Sequence, residues 1–236
     1  MIIPNDGVEE PKQVNQRRLI LLLVAQLLFL ALLLFLPAGT LGWRKGWLFL
    51  LVYVAGIALV VPYIWHVNPE LLAARSRIRW AKRWDRILGS FLIATEMAII
   101  PVAAMDDGRF HWLPTPPWVC GIGYVLLLVS TVFLIWVGSV NKFAEPAVRI
   151  QTERGHKVID TGPYAIVRHP SYVAAVPLFA GIALALGSLW ALVPVGLTSC
   201  LLILRTHWED QTLQAELPGY REYTARVRYK LIPGVW

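Results

Sequence analysis

The stretch "YVAAVPLFAGIALALGSLWALVPVGLTSCLLIL", residues 172–204, runs for 33 residues without a charged side chain. As one straight helix it would measure about 50 Å, against a hydrocarbon core of about 30 Å. Gly187-Ser188 lies near its middle, and helices commonly stop at such a glycine. The run therefore reads as a hairpin of two short apolar helices, about 172–187 and 189–206, which need not cross the bilayer fully. Upstream, the apolar runs 19–36, 47–65, 87–105 and 118–140 each have the length of a membrane span. The fold class that follows is all-α: a polytopic membrane bundle of about five to six transmembrane segments with a C-terminal helical hairpin.

Composition supports this reading. The chain has 236 residues, 57% hydrophobic and 16% charged, with a mean hydropathy of +0.56. Soluble domains carry about 25% charged residues. The net charge of +7 does not point to nucleic acid, because the cations flank apolar runs and no aromatic recognition module accompanies them. Cys120 and Cys200 fall in apolar segments and read as small buried hydrophobes, not as a disulfide or metal pair. The run 19–36 exceeds a signal-peptide core of about 7–15 residues, and Pro37-Ala38-Gly39 is a poor cleavage site, so an uncleaved first span is expected.

Lysine and arginine placement predicts the orientation. With both termini in the cytoplasm, the cytoplasmic segments hold 19 of the 22 cations; Arg44, Lys45 and Arg109 fall outside. That asymmetry follows the positive-inside rule. An inner or plasma membrane is the expected location, and its lipids are the expected surroundings. The stretch 74–86, "ARSRIRWAKRWDR", reads as an interfacial segment with cations toward anionic headgroups; the alternative is a grip on an anionic lipid substrate. On this topology the polar segments 142–171 and 205–236 share the cytoplasmic face, the place with enough polar sequence to build a site.

Several chemistries lack their residues. The five histidines form no HExxH or HxxH box, so no metal is expected, and there is no GxSxG elbow or P-loop. The segment "GHKVIDTGPYAIVRHPSY", 155–172, is richer. Its glycines let backbone approach a ligand, and Arg168 offers a planar fork for a carboxylate or phosphate. The structural alternative is a turn and a helix start, with Pro170 at the first helical position and Arg168 snorkelling. In "LRTHWEDQTL", 204–213, Arg205 and Glu209 are spaced i, i+4. Read alone, they are an exposed helix end with a surface ion pair of about 0.3–0.5 kcal/mol. Gly121 and Gly123 form a GxG that more often serves helix packing. Glu96, in the middle of the third span, is either a functional group or an internal polar contact. Asn141, at the end of the fourth span, is either a helix C-terminal residue or a ligand contact, and the capping role is the stronger reading.

Taken together, these pieces resemble the isoprenylcysteine carboxyl methyltransferase family and its phospholipid N-methyltransferase relatives, over Gly121 to Trp236. The resemblance rests on "TGPYAIVRHPSYVAA", on Glu209-Asp210, and on the ending "LPGYREYTARVRYKLIPGVW". It implies a membrane methyltransferase using S-adenosylmethionine, with a cytoplasmic cofactor site and a lipophilic or lipid acceptor. Arg168, His169, Pro170 and Tyr172 match the RHPxY element of the cofactor site. Gly162 and Tyr164 match the preceding turn, and Gly121 and Gly123 match the GxG of the phospholipid enzymes. Glu209 and Asp210 stand where the family has Glu-Glu. The resemblance implies that Arg168 and His169 hold the cofactor carboxylate, and Glu209 and Asp210 its ammonium or ribose. Arg205 and Glu209 are the catalytic candidates, Arg205 orienting an acidic acceptor. Asp210 for Glu, and Ala174-Ala175 where a glycine is frequent, depart from the pattern. On this reading residues 1–117 are N-terminal membrane helices and 118–236 the methyltransferase-like core.

Two other readings stay open at this stage. Membrane sterol reductases carry a similar RHPxY element and bind NADPH with it. The acidic pair argues against that cofactor, whose phosphates acids repel. A non-enzymatic membrane subunit that keeps the fold is the other.

Overall fold

The computed structural model of the chain describes residues 16–75 and 82–236. Lys12 and the central part of the basic stretch 74–86 lie outside the described residues. The elements are α1 (Gln16–Ala38), α2 (Arg44–Val67), α3 (Pro69–Arg75), α4 (Arg83–Ala103), α5 (Pro117–Val140), α6 (Pro170–Ala185), α7 (Leu192–Glu216) and α8 (Tyr220–Arg226). No strand occurs among the described residues. Among the described residues, four helical stretches are long and apolar enough to cross a membrane: Ile20–Ala38, Arg44–Val67, Arg83–Phe110 and Pro117–Val140. Their outward faces carry leucines such as Leu21, Leu36, Leu59 and Leu128, all largely exposed. An apolar exterior of this kind suits hydrocarbon, and the backbone polar groups beneath it are satisfied within each helix.

The expected hairpin is present, with boundaries set by its turn. α6 ends at Ala185 and α7 begins at Leu192. Between them Gly187 adopts φ +80°, a left-handed conformation that costs glycine little. A network of carboxylates holds this turn. α4 widens into a π-helix over Ala104–Phe110, just after Pro101 has removed one ladder donor. From there Asp106 accepts from the Ser188 hydroxyl at 2.6 Å and the Leu113 N–H at 3.1 Å. Asp107 takes the Trp43 indole at 2.8 Å and the Lys45 ammonium at 2.5 Å. This end of the bundle is a closed polar clasp.

α7 is longer than the sequence reading placed it. It continues ten residues beyond 206 to Glu216, so Glu209 and Asp210 lie within a helix and not at its end. The extension is held by antiparallel packing on α4. Thr198 bonds Thr95 at 2.8 Å, Arg205 pairs with Asp85 at 2.8 Å, and the Trp84 and Trp208 rings meet edge-on at 5.4 Å. Lys82 and Glu216 close the row with an ion pair.

α5 and α6 approach closely because small residues face each other. A Cβ at Gly123 would lie 2.1 Å from the Ala185 backbone nitrogen, and one at Gly181 would lie 2.9 Å from the Gly123 carbonyl oxygen. One core draws on both sides of residue 117: Leu34 and Phe35 of α1, Ile99 and Ala103 of α4, Ala183 and Ala185 of α6, and Val195 of α7.

Gly123→Ala is expected to destabilise the fold by about 1–3 kcal/mol through overpacking. Gly121→Ala, with nothing within 4 Å of its added Cβ, is expected to leave stability unchanged. Thermal unfolding in detergent, followed by tryptophan fluorescence, measures both.

Candidate functional site

The site assembles at the end of the bundle opposite the clasp, where α6 begins. Pro170 opens the helix, a position that needs no N–H donor. The two residues before it run alongside the segment 227–236. The Arg168 and His169 N–H groups donate to the Tyr229 and Lys230 carbonyls, each at 2.9 Å. The Arg168 guanidinium then joins three pieces of chain. Its Nη1 donates to the carbonyls of Val227 and Arg228, both at 2.9 Å. Its Nε and Nη2 grip the two oxygens of Asp210 at 2.8 and 3.1 Å. The fork that sequence reasoning assigned to a cofactor carboxylate is therefore engaged by Asp210.

Asp210 is a hub. It is fully buried, and besides Arg168 it accepts from Gln214 at 2.8 Å and Tyr220 at 3.2 Å. The His169 ring lies 3.4 Å away and the Lys230 ammonium 3.8 Å away. Burial, and after it the Asp210 charge, push the Tyr220 hydroxyl well above its ordinary range, so it stays a neutral donor. Lys230 also lies over the Trp236 ring at 4.5 Å, which draws the end of the segment over the site.

Glu209 behaves differently, because neighbouring residues on a helix point about 100° apart. Its carboxylate accepts from the Tyr172 hydroxyl at 2.6 Å and lies 3.9 Å from His169 Nδ1. The His169 and Tyr172 rings are parallel at 5.9 Å. No lysine or arginine among the described residues reaches ion-pair distance of Glu209. Its side chain keeps 21% exposure, against 1% for Asp210. That difference separates a carboxylate open to a ligand from one consumed by the fold.

Arg205 is buried, and the i, i+4 ion pair with Glu209 does not form. Its Nη2 lies 2.8 Å from Asp85 and donates to the Pro146 carbonyl. Asp85 also accepts from the Val148 N–H at 2.6 Å. The loop after α5 is thereby fastened beside the site. Farther along that loop, Gln151 N–H donates to His156 Nδ1 at 3.3 Å, and the His156 ring meets Phe143 at 4.6 Å. Burial first, and the Arg154 charge next, lower the His156 imidazole below its usual range.

The remaining candidates separate cleanly. Gly162, at φ +58°, and Tyr164 form the turn beside the end of α5, where Asn141 donates to the Tyr164 hydroxyl at 2.7 Å and Tyr223 donates to the Tyr164 carbonyl at 2.7 Å. They shape the approach to Arg168. Asn141 is a helix-end residue, as its position suggested. Gly121 and Gly123 do not join the cluster. Gly123 faces Ala185, about 22 Å along α6 from Pro170 by helical rise. Glu96 is half-buried in α4, within range of the Arg205 charge. Sequence reasoning missed Asp85, Tyr220 and Lys230. Asp85 left one signal: it is the lone acid among six cations in the stretch 74–86.

Comparison with known proteins adds one finding. The model of the phospholipid methyltransferase family matches residues 118–217. This part of the chain is thus similar to a phospholipid methyltransferase domain, and it contains α5, α6, Arg205, Glu209 and Asp210. The resemblance to the isoprenylcysteine enzymes is compatible with that match. No curated protein matches the chain.

Two outcomes follow from this geometry. Asp210→Asn is expected to cost about 3–5 kcal/mol, because it strands the buried Arg168 charge, whereas Glu209→Gln is expected to cost under about 1 kcal/mol; unfolding in detergent compares them. The loop at 143–156 is expected to loosen in acid. His156 has a lowered pKa when folded, so its contribution is complete above about pH 6.5 and is lost as pH falls through the lower folded value. Hydrogen exchange of the loop at pH 7.5 and 5.5 reads the change.

Proposed function

We propose that the protein is an S-adenosylmethionine-dependent membrane methyltransferase whose cofactor site lies around Glu209, Tyr172 and His169, and whose acceptor is lipophilic. The carrying observation is the state of the charges. Arg168 and Arg205 are each paired with a buried aspartate, while Glu209 is an accessible carboxylate with no lysine or arginine among the described residues at ion-pair distance. Such a site suits a ligand bearing positive charge and hydroxyls. It suits a dinucleotide phosphate poorly, since acids repel phosphates and the Arg168 fork is fully engaged by Asp210 and two backbone carbonyls.

When bound, the cofactor supplies an electrophilic methyl group on a sulfonium, transferred by in-line displacement. The chain's task is placement and exclusion of water. Glu209 holds the cofactor ammonium or ribose hydroxyls, with the Tyr172 hydroxyl fixing which carboxylate oxygen is free. His169 presents Nδ1 toward the same space. Arg168 and Asp210 act from behind, by tying the start of α6 to α7 and to the segment 227–236. Arg205 and Glu209 are the proposed catalytic residues, Arg205 orienting the acceptor. A prenylcysteine-like carboxylate and other lipids are the acceptor classes that fit an arginine at the edge of apolar helices. The apolar exterior lets such an acceptor enter from the bilayer. The orientation with this end in the cytoplasm follows the lysine and arginine distribution.

Calorimetry on the purified chain in detergent tests the reading. S-adenosylhomocysteine is expected to bind and NADPH is not. Glu209→Gln is expected to weaken S-adenosylhomocysteine at least tenfold while the unfolding midpoint stays within a few degrees. Binding of NADPH alone, or unaltered affinity in the variant, contradicts the proposal.

A further inference from the structure

Asp85 lies on α4, outside the matched segment 118–217. It stands at the third position of its helix, where an acid usually serves the helix's own N-terminal N–H groups. Here both oxygens are turned away from that task. One accepts from the Val148 N–H at 2.6 Å; the other lies 2.8 Å from Arg205 Nη2. The carboxylate is fully buried. A buried acid directed wholly at another part of the chain fixes that part's geometry.

What it fixes is an arginine that is not fully used. Arg205 Nη2 donates to the Pro146 carbonyl and stands at ion-pair distance from Asp85 Oδ1, an oxygen that makes no hydrogen bond among the described residues, and the Arg205 Nε–H is likewise buried without a partner. The residue is about nine-tenths buried, and the Glu209 carboxylate acts on it electrostatically. A buried donor left unmet is costly, and this one borders the site. Charge also matters. Asp85 neutralises Arg205 within the protein, so the guanidinium survives burial before any ligand arrives.

We infer that Asp85 is a positioning residue of the methyl-transfer site: it holds Arg205 so that the free Nε–H edge meets an anionic oxygen of the acceptor. This rests on the reading under Proposed function. The oxygen belongs to a carboxylate or to a phosphodiester, and the two sources share the chemistry that Arg205 recognises. Asp85 thereby makes the N-terminal helices part of the site and not merely its support. It acts through Arg205, so its removal weakens acceptor binding and leaves the cofactor subsite at Glu209 intact.

The test uses the full chain in detergent and reads two ligands separately. The acceptor probes are N-acetyl-S-farnesylcysteine and lysophosphatidylglycerol, each against a neutral counterpart, farnesol and monoacylglycerol. Binding is followed by tryptophan fluorescence, and S-adenosylhomocysteine by calorimetry. The wild type is expected to bind one anionic probe at least tenfold more tightly than its neutral counterpart; which one it is identifies the source. Asp85→Asn is expected to lose at least tenfold in that affinity, with S-adenosylhomocysteine within twofold. In an Arg205→Lys background, Asp85→Asn is expected to add less than twofold, which a purely structural role does not produce. Should Asp85→Asn fail to fold, Asp85→Glu keeps the charge and displaces it by one methylene, and a threefold or greater loss of probe affinity is expected. The inference is overturned if the wild type does not prefer an anionic probe, if folded Asp85 variants keep wild-type probe affinity, or if the losses add. Failure of S-adenosylhomocysteine to bind the wild type strikes the cofactor reading instead and is seen independently of the probes.

Discussion

The bidentate pair of Arg168 and Asp210 is the interaction on which the rest of this end of the molecule depends. It joins the segment just before α6 to the last third of α7, and the same guanidinium holds the carbonyls of Val227 and Arg228. Three segments far apart in sequence meet on one side chain. Two charges buried together gain little over an apolar pair of the same shape, but either one alone is strongly destabilising. The pair therefore acts as a constraint. Given Arg168, Asp210 is required, and given both, Glu209 is turned toward Tyr172.

The bundle has two polar ends that do different things. At one end Asp106 and Asp107 are saturated by Ser188, Trp43, Lys45 and a backbone N–H, and clasp the turn at Gly187. At the other end Glu209 and Arg205 each keep polar capacity that the protein does not fill. Between them the helices are held by apolar contact, small-residue packing and the threonine pair of α4 and α7. Rigidity at the clasp and along α4 suits a site whose reacting groups must be placed and not moved.

Much of this was legible in the sequence where the cause is local. Gly187 interrupts an apolar run too long for one span, and the turn lies there. Pro170 after Arg168-His169 marks a helix start, and α6 begins there. The length of α7 was not legible, since its polar extension is held by Trp84, Asp85 and Lys82 of a helix more than a hundred residues earlier. For the same reason Arg205 was matched to Glu209, its neighbour by spacing, when its partner is Asp85. The GxG at 121–123 carries the same letters as a ligand contact, but only the position of Ala185 shows what Gly123 makes room for. The two acids at 209 and 210 look equivalent in sequence, and only burial separates them.

On the proposed function, the start of α6, the last third of α7 and the segment 227–236 form one ligand site for a sulfonium-type cofactor. Hydrogen exchange of the full chain, with and without saturating S-adenosylhomocysteine, tests it most directly. The account predicts slowed exchange together at 168–173, 205–212 and 227–231, with the clasp at 186–191 unchanged. Protection elsewhere, or the same protection produced by NADPH and not by S-adenosylhomocysteine, would contradict it.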